Sequence, residues 1–365
     1  MMMLGLVLHT CITYTVTVVG GAWPIKDPTT THLSMDWLVF TIHIFRMPIF
    51  FVVSGFFGAL LFYERSAWRM IRNRLSRVLL PFMVFLLLLY PIAILGFGYT
   101  TLAFAEKINT ATSMEGIAFH WKLLLPASTI HLWFLYYLML LSATFCGLGV
   151  VMKKQLGLRL KIHRVFRYVL QRPLSKIVFF PILTWSCLAL INETWVLTSI
   201  GFVPDIETFG FYFVFYGFGW VLFKNKELLP TFKKVDWFFT ILGLLTITLN
   251  LALTPHVSNA TIMLFNSASV WFLVFGIIGL FVRYANRGAS FWRYISDASY
   301  WVYQVHFPWV ALLPGIAANW ECSVWGKVVF VLGTSTALCF LSYALFVRST
   351  FIGAFLNGRR YPRKT

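Results

Sequence analysis

Charged residues are scarce in this sequence, and acidic residues are the scarcest. Charged residues make up 12% of the 365 residues, whereas a soluble domain carries about 25%. Only 12 residues are Asp or Glu, while hydrophobic residues make up 59% and mean hydropathy is +0.78. This balance excludes a soluble domain. It predicts an all-α polytopic membrane protein whose core is the membrane-spanning bundle itself.

Several patterns that mark soluble enzymes are also missing. The five cysteines are scattered and lack the spacing of a metal site or a disulfide framework, so we interpret them as small core residues. The sequence contains no Walker loop, no dinucleotide-binding glycine pattern and no nucleophile–base–acid triad. We therefore expect no metal and no permanently bound cofactor.

Apolar runs of roughly 20 residues, the length that a helix needs to cross a bilayer, divide the chain into predicted spans. The ten predicted spans are Met2–Val19, Trp37–Phe62, Leu79–Tyr99, His131–Met152, Ile177–Thr198, Phe209–Phe223, Trp237–Leu253, Ala260–Val282, Ser299–Ala318 and Val328–Val347. No internal repeat separates them. Residues 1–347 are thus predicted to form one integral-membrane domain, followed by a short basic cytoplasmic tail, 348–365.

Basic residues are distributed unevenly between the predicted loops. One set of alternate loops holds 25 of the 30 Lys and Arg residues and the other set holds four, with Arg46 inside a span. Because cytoplasmic loops of membrane proteins are enriched in Lys and Arg, both termini are predicted to be cytoplasmic. The net charge of +18 is then a topological signal, and we expect a lipid bilayer rather than nucleic acid as the partner.

The second predicted span carries an arginine in its interior. Burying Arg46 in a membrane helix is costly, so the residue is a functional candidate with a partner to be found. His43 lies three residues earlier, on the same helix face. Pro48 removes a helical hydrogen bond and bends the helix, and its neighbours must satisfy the freed group. The alternative is that Arg46 snorkels or is neutralised by a structural carboxylate.

Three further histidines lie in or beside predicted spans. His9 in the first span is a candidate general base, although a histidine bonded to a neighbouring helix would look the same. His306 lies between Tyr303 and Pro308 and is a second buried candidate. His131 opens the fourth span, where composition alone favours a structural role.

The segment between the second and third spans is rich in arginine. Glu64–Pro81 alternates arginines with apolar residues at helical intervals, which is typical of an interfacial helix. Two interpretations remain open: an anchor on anionic lipid, or a phosphate site, since an arginine fork matches phosphate oxygens well. Acidic residues are essentially absent from the predicted spans. This absence weighs against a proton- or cation-coupled transporter.

Five stretches together resemble the membrane acyltransferase family 3. The longest is FRMPIFFVVSGFFGALL, followed by R-x₂-R-x-R-x₂-R-x₃-P from Arg69 to Pro81. The other three are LGLVLH at Leu4–His9, HLWFLYYLMLL at His131–Leu141, and YISDASYWVYQVHFPW at Tyr294–Trp309. They extend from the first span to the ninth, so the resemblance covers most of the chain. It is strongest to a branch that succinylates osmoregulated periplasmic glucans.

The resemblance implies a multi-pass enzyme of the bacterial inner membrane. It would move an acyl group from acyl-CoA, in this branch succinyl-CoA, to hydroxyls of a glucan or another envelope carbohydrate. His9 matches the family's essential first-helix histidine, and Arg46 matches its arginine before the P-x-F-F run. We assign His9 as the base and Arg46 as the group that supports the oxyanion or orients the acyl group.

The remaining candidates are assigned to the two substrates. The family's cytoplasmic arginine pair falls among four residues, which we assign to the coenzyme A phosphates: Arg69, Arg72, Arg74 and Arg77. Five residues are assigned to substrate binding: His43, His131, Trp133, Tyr303 and His306. The competing interpretation is a transporter or flippase that moves a free or lipid-linked glycan without acyl chemistry.

One departure from the family pattern concerns the start of the chain. Family members carry an arginine and an aspartate upstream of the first-helix histidine, whereas the eight residues before His9 are uncharged. We therefore expect the first helix to be truncated at its start, with translation beginning upstream, or part of the donor site to have been lost.

Overall fold

In a computed structural model the protein is a bundle of α-helices. The structure describes residues 2–21, 23–105, 125–196, 198–285, 290–358 and 361. The helices are α1 Met3–Cys11, α2 Leu33–Glu64, α3 Ala67–Arg74, α4 Leu80–Phe104, α5 Trp133–Lys153, α6 Leu156–Gln171, α7 Pro173–Ile191, α8 Ile206–Lys224, α9 Leu229–Phe232, α10 Asp236–Leu253, α11 Asn259–Tyr284, α12 Ser290–Ile316, α13 Val324–Ser342 and α14 Phe351–Asn357. No strand occurs among the described residues, which confirms the predicted all-α class.

The predicted spans correspond to helices throughout the bundle. Among the described residues, eight helices are long and apolar enough to cross a membrane, and they coincide with eight of the ten predicted spans. The predicted ninth span falls on the 27-residue helix α12. The predicted first span falls on a shorter apolar helix, Met3–Tyr14. The chain is therefore a multi-pass membrane protein.

The first helix ends earlier than its apolar run predicts. A short 3₁₀ turn, Ile12–Tyr14, follows α1, and Thr15 is already extended. The next two backbone N–H groups, of Val16 and Thr17, donate to the Asp36 carboxylate at 2.8 and 3.0 Å. Because a carboxylate on α2 takes these donors, the helix does not continue. The resulting 12-residue helix is roughly 18 Å long and reaches only part of the way through hydrocarbon about 30 Å thick.

Helices α2 and α8 cross with their backbones in contact. A Cβ atom at Gly55 would lie 2.1 Å from the carbonyl oxygen of Tyr216, and one at Gly219 would lie 1.8 Å from that of Val52. Only glycine permits this approach, which is typical of membrane helix pairs. Gly55 and Gly219 thus form the close-packing point of this helix pair. The crossing fixes the depth of Arg46, nine residues earlier on α2.

A buried ion pair ties the segment after α1 to α13. Lys327 Nζ donates to Asp27 Oδ2 at 2.9 Å, and both side chains are 1% exposed. The other carboxylate oxygen accepts from the backbone N–H groups of Thr29 and Thr30. This anchor holds the chain close to the bundle between α1 and α2. Trp23, in the same segment, is thereby packed over the top of α1.

A separate aromatic cluster fills the half of the bundle built by α7, α8 and α11. Trp271 is fully buried and its Nε1 donates to Thr184 Oγ1 at 2.7 Å. Its ring packs against Phe180, Phe215 and Phe275 with centroid distances of 4.7, 4.9 and 5.4 Å. This cluster does not include any of the predicted site residues.

Candidate active site

His9 on α1 and His306 on α12 are joined by a hydrogen bond inside the bundle. His9 Nδ1 lies 2.9 Å from His306 Nε2. His306 Nδ1 lies 3.0 Å from the carbonyl oxygen of Val302 and 2.9 Å from that of Tyr303. Carbonyl oxygens only accept, so His306 Nδ1 carries the hydrogen, and in the neutral ring Nε2 is the acceptor. His9 Nδ1 must then be the donor.

This chain of hydrogen bonds fixes the tautomer of His9. With its hydrogen on Nδ1, neutral His9 has a bare lone pair on Nε2. No described residue forms a hydrogen bond with that nitrogen. The ring is held by Trp23, which stacks on it with centroids 5.4 Å apart, and by Phe307, which meets it edge-on at 5.3 Å. His9 is therefore an oriented imidazole with a free basic nitrogen.

His131 completes a cluster of three histidines. Its Nε2 donates to the carbonyl oxygen of Gln304 at 3.1 Å, while its Nδ1 is buried without a partner. The ring stacks on Phe307 at 4.3 Å and lies 5.3 Å from the His306 ring. Tyr303 donates from its hydroxyl to the carbonyl oxygen of His131 at 2.9 Å. His131 thus presents an unused acceptor to the same space as the other two rings.

Arg46 lies beside the histidines without an anionic partner. It is 8% exposed, and its Nε is buried with no hydrogen-bond partner. The guanidinium packs on Gly5 of α1: a Cβ atom at Gly5 would lie 2.8 Å from Arg46 Nη1 and 3.9 Å from His306 Nε2. Among the described residues, no carboxylate forms a salt bridge with Arg46. Its burial and this lack of a carboxylate argue against the alternatives of snorkelling and structural neutralisation.

These groups surround a small chamber in the middle of the bundle. The chamber has a volume of about 20 Å³, which is room for roughly one water molecule. His9, Arg46, His131, Tyr303, His306 and Trp133 supply its polar and aromatic lining. The structure therefore brings together both catalytic candidates and four of the five predicted substrate-binding residues.

A larger cavity adjoins the chamber on the side that carries α3 and α14, which we call the basic face. Its volume is about 450 Å³, and its lining includes Arg74, Arg77 and Asn73. A π-helical turn at Leu75–Leu79 precedes α4, with the N–H of Leu80 bonded to the carbonyl of Leu75. Such turns insert an extra residue and often mark functional sites. Here the turn re-aims Arg77 relative to a regular helix.

The four predicted coenzyme-binding arginines do not share one environment. Arg74 is half-buried, donates from Nη2 to the Ser54 carbonyl at 3.0 Å and keeps a buried, unpartnered Nε. Arg77 donates from Nη1 to the carbonyls of Ala354 and Phe355 on α14. Arg69 and Arg72 are exposed and do not line this cavity. Helix α14 also shows that part of the predicted tail folds back onto the membrane domain.

A second cavity, of about 520 Å³, opens from the chamber toward the opposite face. His9, Arg46, His131 and Trp133 line both spaces, and His43 lines only this second cavity. Sequence reasoning missed Trp23, Trp195 and Asp36, which also line it. Trp23 and Trp195 lie on segments between helices that fold back over the bundle, and Asp36 lies in the first turn of α2. The one available signal was the aromatic and acidic character of the loops that are poor in Lys and Arg.

No group of three or more His, Cys, Asp or Glu side chains among the described residues has the geometry to hold a metal ion. The site consists instead of an oriented base, an unpaired guanidinium and access from two faces of the bundle. These are the elements that a group transfer within a membrane requires.

The fold and this site agree with the class that sequence comparison gives. The chain belongs to the acyltransferase domain family, which matches residues 1–344. Among curated relatives it is similar to glucans biosynthesis protein C of Salmonella paratyphi A, with 24% identity over 98% of this chain and 92% of the relative. The same identity and coverage hold for glucans biosynthesis protein C of Salmonella agona and of Salmonella enteritidis PT4. No solved structure matches the chain.

Proposed function

We propose that the protein transfers an acyl group from acyl-CoA, bound from the basic face, to a hydroxyl of a glucan or another envelope carbohydrate, bound from the opposite face. The observation that carries this proposal is the position of His9 and Arg46 between two cavities that open to opposite sides. Family membership supports acyl transfer, and the basic-face arginines support a phosphorylated donor. The names of the relatives support a glucan acceptor. We propose the bacterial inner membrane as the location, as the resemblance to the family implies.

The reaction needs a base and a stabiliser of negative charge. His9 Nε2 takes the proton of the attacking hydroxyl as its oxygen bonds to the thioester carbonyl carbon. The Arg46 guanidinium stabilises the resulting oxyanion. This electrostatic interaction is strong because the chamber has little room for water. The carbon–sulfur bond then breaks, and the coenzyme A thiolate takes the proton from His9. The products are an ester and free coenzyme A.

The donor's charge fits the basic-face cavity. Coenzyme A carries several phosphate charges, and guanidinium groups bind phosphate through paired N–H donors. Arg74 is the better candidate because its Nε has no partner, whereas Arg77 already bonds α14. If the acyl group is succinyl, its carboxylate would need a cation of its own. Arg46 could pair with that carboxylate instead of the oxyanion.

The acceptor's chemistry fits the opposite cavity. Trp23, Trp133 and Trp195 contribute indole rings, and Trp195 Nε1 is buried without a hydrogen-bond partner. Binding sites commonly combine apolar and aromatic walls with a few convergent polar groups. A sugar offers apolar ring faces and many hydroxyls, so it can use both. One hydroxyl would then reach His9.

The test is a transfer assay with protein in proteoliposomes. Succinyl-CoA labelled in the succinyl group is supplied on one side and periplasmic glucan on the other. We expect label in the glucan with wild-type protein and none with His9→Ala. His163→Ala is the matched control, because His163 lies on α6 and bonds Asn225 away from the site. Movement of unmodified glycan without label would instead favour a transporter or flippase.

A further inference from the structure

Two phenylalanines and a methionine separate the chamber from the basic-face cavity. Met2, Phe50 and Phe134 are the only described residues that line both spaces. The rings of Phe50 and Phe134 lie 5.2 Å apart and tilted by 43°. Phe134 is further held by Phe51 at 5.0 Å and by Tyr303 at 6.3 Å. The boundary on this side is therefore wholly apolar.

The boundary between the chamber and the second cavity contains polar groups instead. His9, Arg46, His131 and Trp133 lie between the chamber and the second cavity. An acyl thioester arriving from the basic face must push its acyl end between two aromatic rings to reach His9. The acceptor hydroxyl meets polar groups instead. Only the donor thus encounters an apolar barrier.

We propose that Met2, Phe50 and Phe134 form a selectivity gate that admits short acyl groups and discriminates against long ones. The chamber behind the gate measures about 20 Å³, so an acyl group enters only as far as these side chains give way. Each additional methylene must displace more of the packed rings. Apolar pockets discriminate by roughly 10- to 200-fold per methylene, and an overfilled site pays a further penalty for strain.

The gate also limits the access of water to the reacting groups. When the rings meet, bulk water in the larger cavity is kept from the reacting carbonyl, which protects the thioester from hydrolysis. Removing a ring should therefore have two effects that loss of general stability does not produce together. The preference for acyl length should relax, and acyl-CoA hydrolysis without acceptor should rise.

The experiment measures kcat/KM for acetyl-, butyryl-, hexanoyl- and octanoyl-CoA with wild-type protein, Phe50→Ala and Phe134→Leu. The inference rests on the proposed function, so the wild-type series comes first. We expect wild-type activity to fall steeply with chain length. Both variants should raise the hexanoyl-to-acetyl ratio about tenfold or more. A ratio measured within one protein sample does not depend on how much of that sample is folded.

Phe180→Ala is the control, since Phe180 is buried in the distant Trp271 cluster and lines none of these spaces. It should lower the yield of folded protein without changing the length ratio. The gate is refuted if wild-type protein transfers acetyl while both variants keep the wild-type ratio within twofold. It is equally refuted if wild-type protein prefers octanoyl. Succinyl-CoA is measured beside this series. Transfer of succinyl without acetyl refutes the gate and leaves the proposed function standing, whereas transfer from none of the donors refutes the proposed function, on which the gate rests.

Discussion

His9 Nδ1 donates to His306 Nε2 at 2.9 Å across 297 residues of chain. His306 is itself fixed by two backbone carbonyls one turn away on α12. This relay of hydrogen bonds thus runs from the backbone of α12 through the His306 ring to the His9 ring. It leaves His9 Nε2 as a basic nitrogen that no described residue occupies.

Replacing His306 tests whether this relay orients the base. His306→Leu removes the acceptor for His9 Nδ1, so we expect kcat to fall about 100-fold, within the usual range for general-base catalysis. KM for acyl-CoA should stay unchanged because the basic-face cavity is untouched. His306→Gln keeps an acceptor oxygen near the same place and should retain more activity. Equal losses in both variants, or a kcat within twofold of wild type, would contradict the relay.

Replacing Arg46 should lower activity without lowering thermal stability. Arg46→Met removes a buried cation that has no carboxylate partner among the described residues. An uncompensated buried charge is costly, so the thermal midpoint in detergent should hold or rise. Activity should fall about 10²- to 10³-fold, as it does when an oxyanion donor is lost. A clear drop in the thermal midpoint would show that Arg46 stabilises the fold instead.

Replacing Gly5 should lower activity because the Arg46 guanidinium packs against this residue. A Cβ atom there would come within 2.8 Å of Arg46 Nη1, the movable end of a long side chain. Gly5→Ala should therefore shift the guanidinium without unfolding α1, where alanine is favoured by about 0.5–1 kcal/mol. A misplacement of about 1 Å can cost roughly 100-fold in rate. Gly147→Ala on α5, with nothing within 4 Å, should leave activity unchanged and the melting temperature unchanged or slightly higher.

The arginines near α3 can be separated by titrating acyl-CoA. Arg74→Gln should raise KM for acyl-CoA about tenfold or more, since hydrogen bonds to charged groups contribute about 1.5–3 kcal/mol. The same change at the exposed Arg69 or Arg72 should have a much smaller effect, and one that salt screens. Initial-rate kinetics at two ionic strengths provide the measurement. Similar KM values for all three variants would argue for diffuse attraction rather than a cavity site.

The Asp27–Lys327 pair predicts a thermodynamic cycle. Asp27→Leu leaves a buried ammonium unpaired and should destabilise the protein by about 3–5 kcal/mol. The double variant Asp27→Leu/Lys327→Met should recover much of that loss, because neither charge then remains. Thermal unfolding of the single and double variants measures the coupling. Additive losses would mean that the two side chains stabilise the bundle independently.

The sequence predicts the bundle well because hydropathy is a local property. Eight of the ten predicted spans match long apolar helices. The end of the first helix could not be predicted, since it depends on Asp36 reaching back from α2 to the N–H groups of Val16 and Thr17. That contact belongs to the tertiary fold.

The sequence predicts which residues belong to the site, but it does not predict how they are arranged. His9, Arg46 and His306 stand out because polar groups in apolar runs are rare. Nothing in the spacing shows that His9 bonds His306, since the two residues come from opposite ends of the chain. The π turn after Arg74 explains why the arginines could not be ranked: a regular 3.6-residue period does not hold across Leu75–Leu79.

The narrowness of the chamber has a consequence for the permeability of the bundle. Two wide cavities lie on opposite faces, yet they meet at a space of about 20 Å³, where roughly one water molecule fits. A space of this size leaves no room for a continuous column of water. The chamber therefore blocks a water-filled path from one cavity to the other.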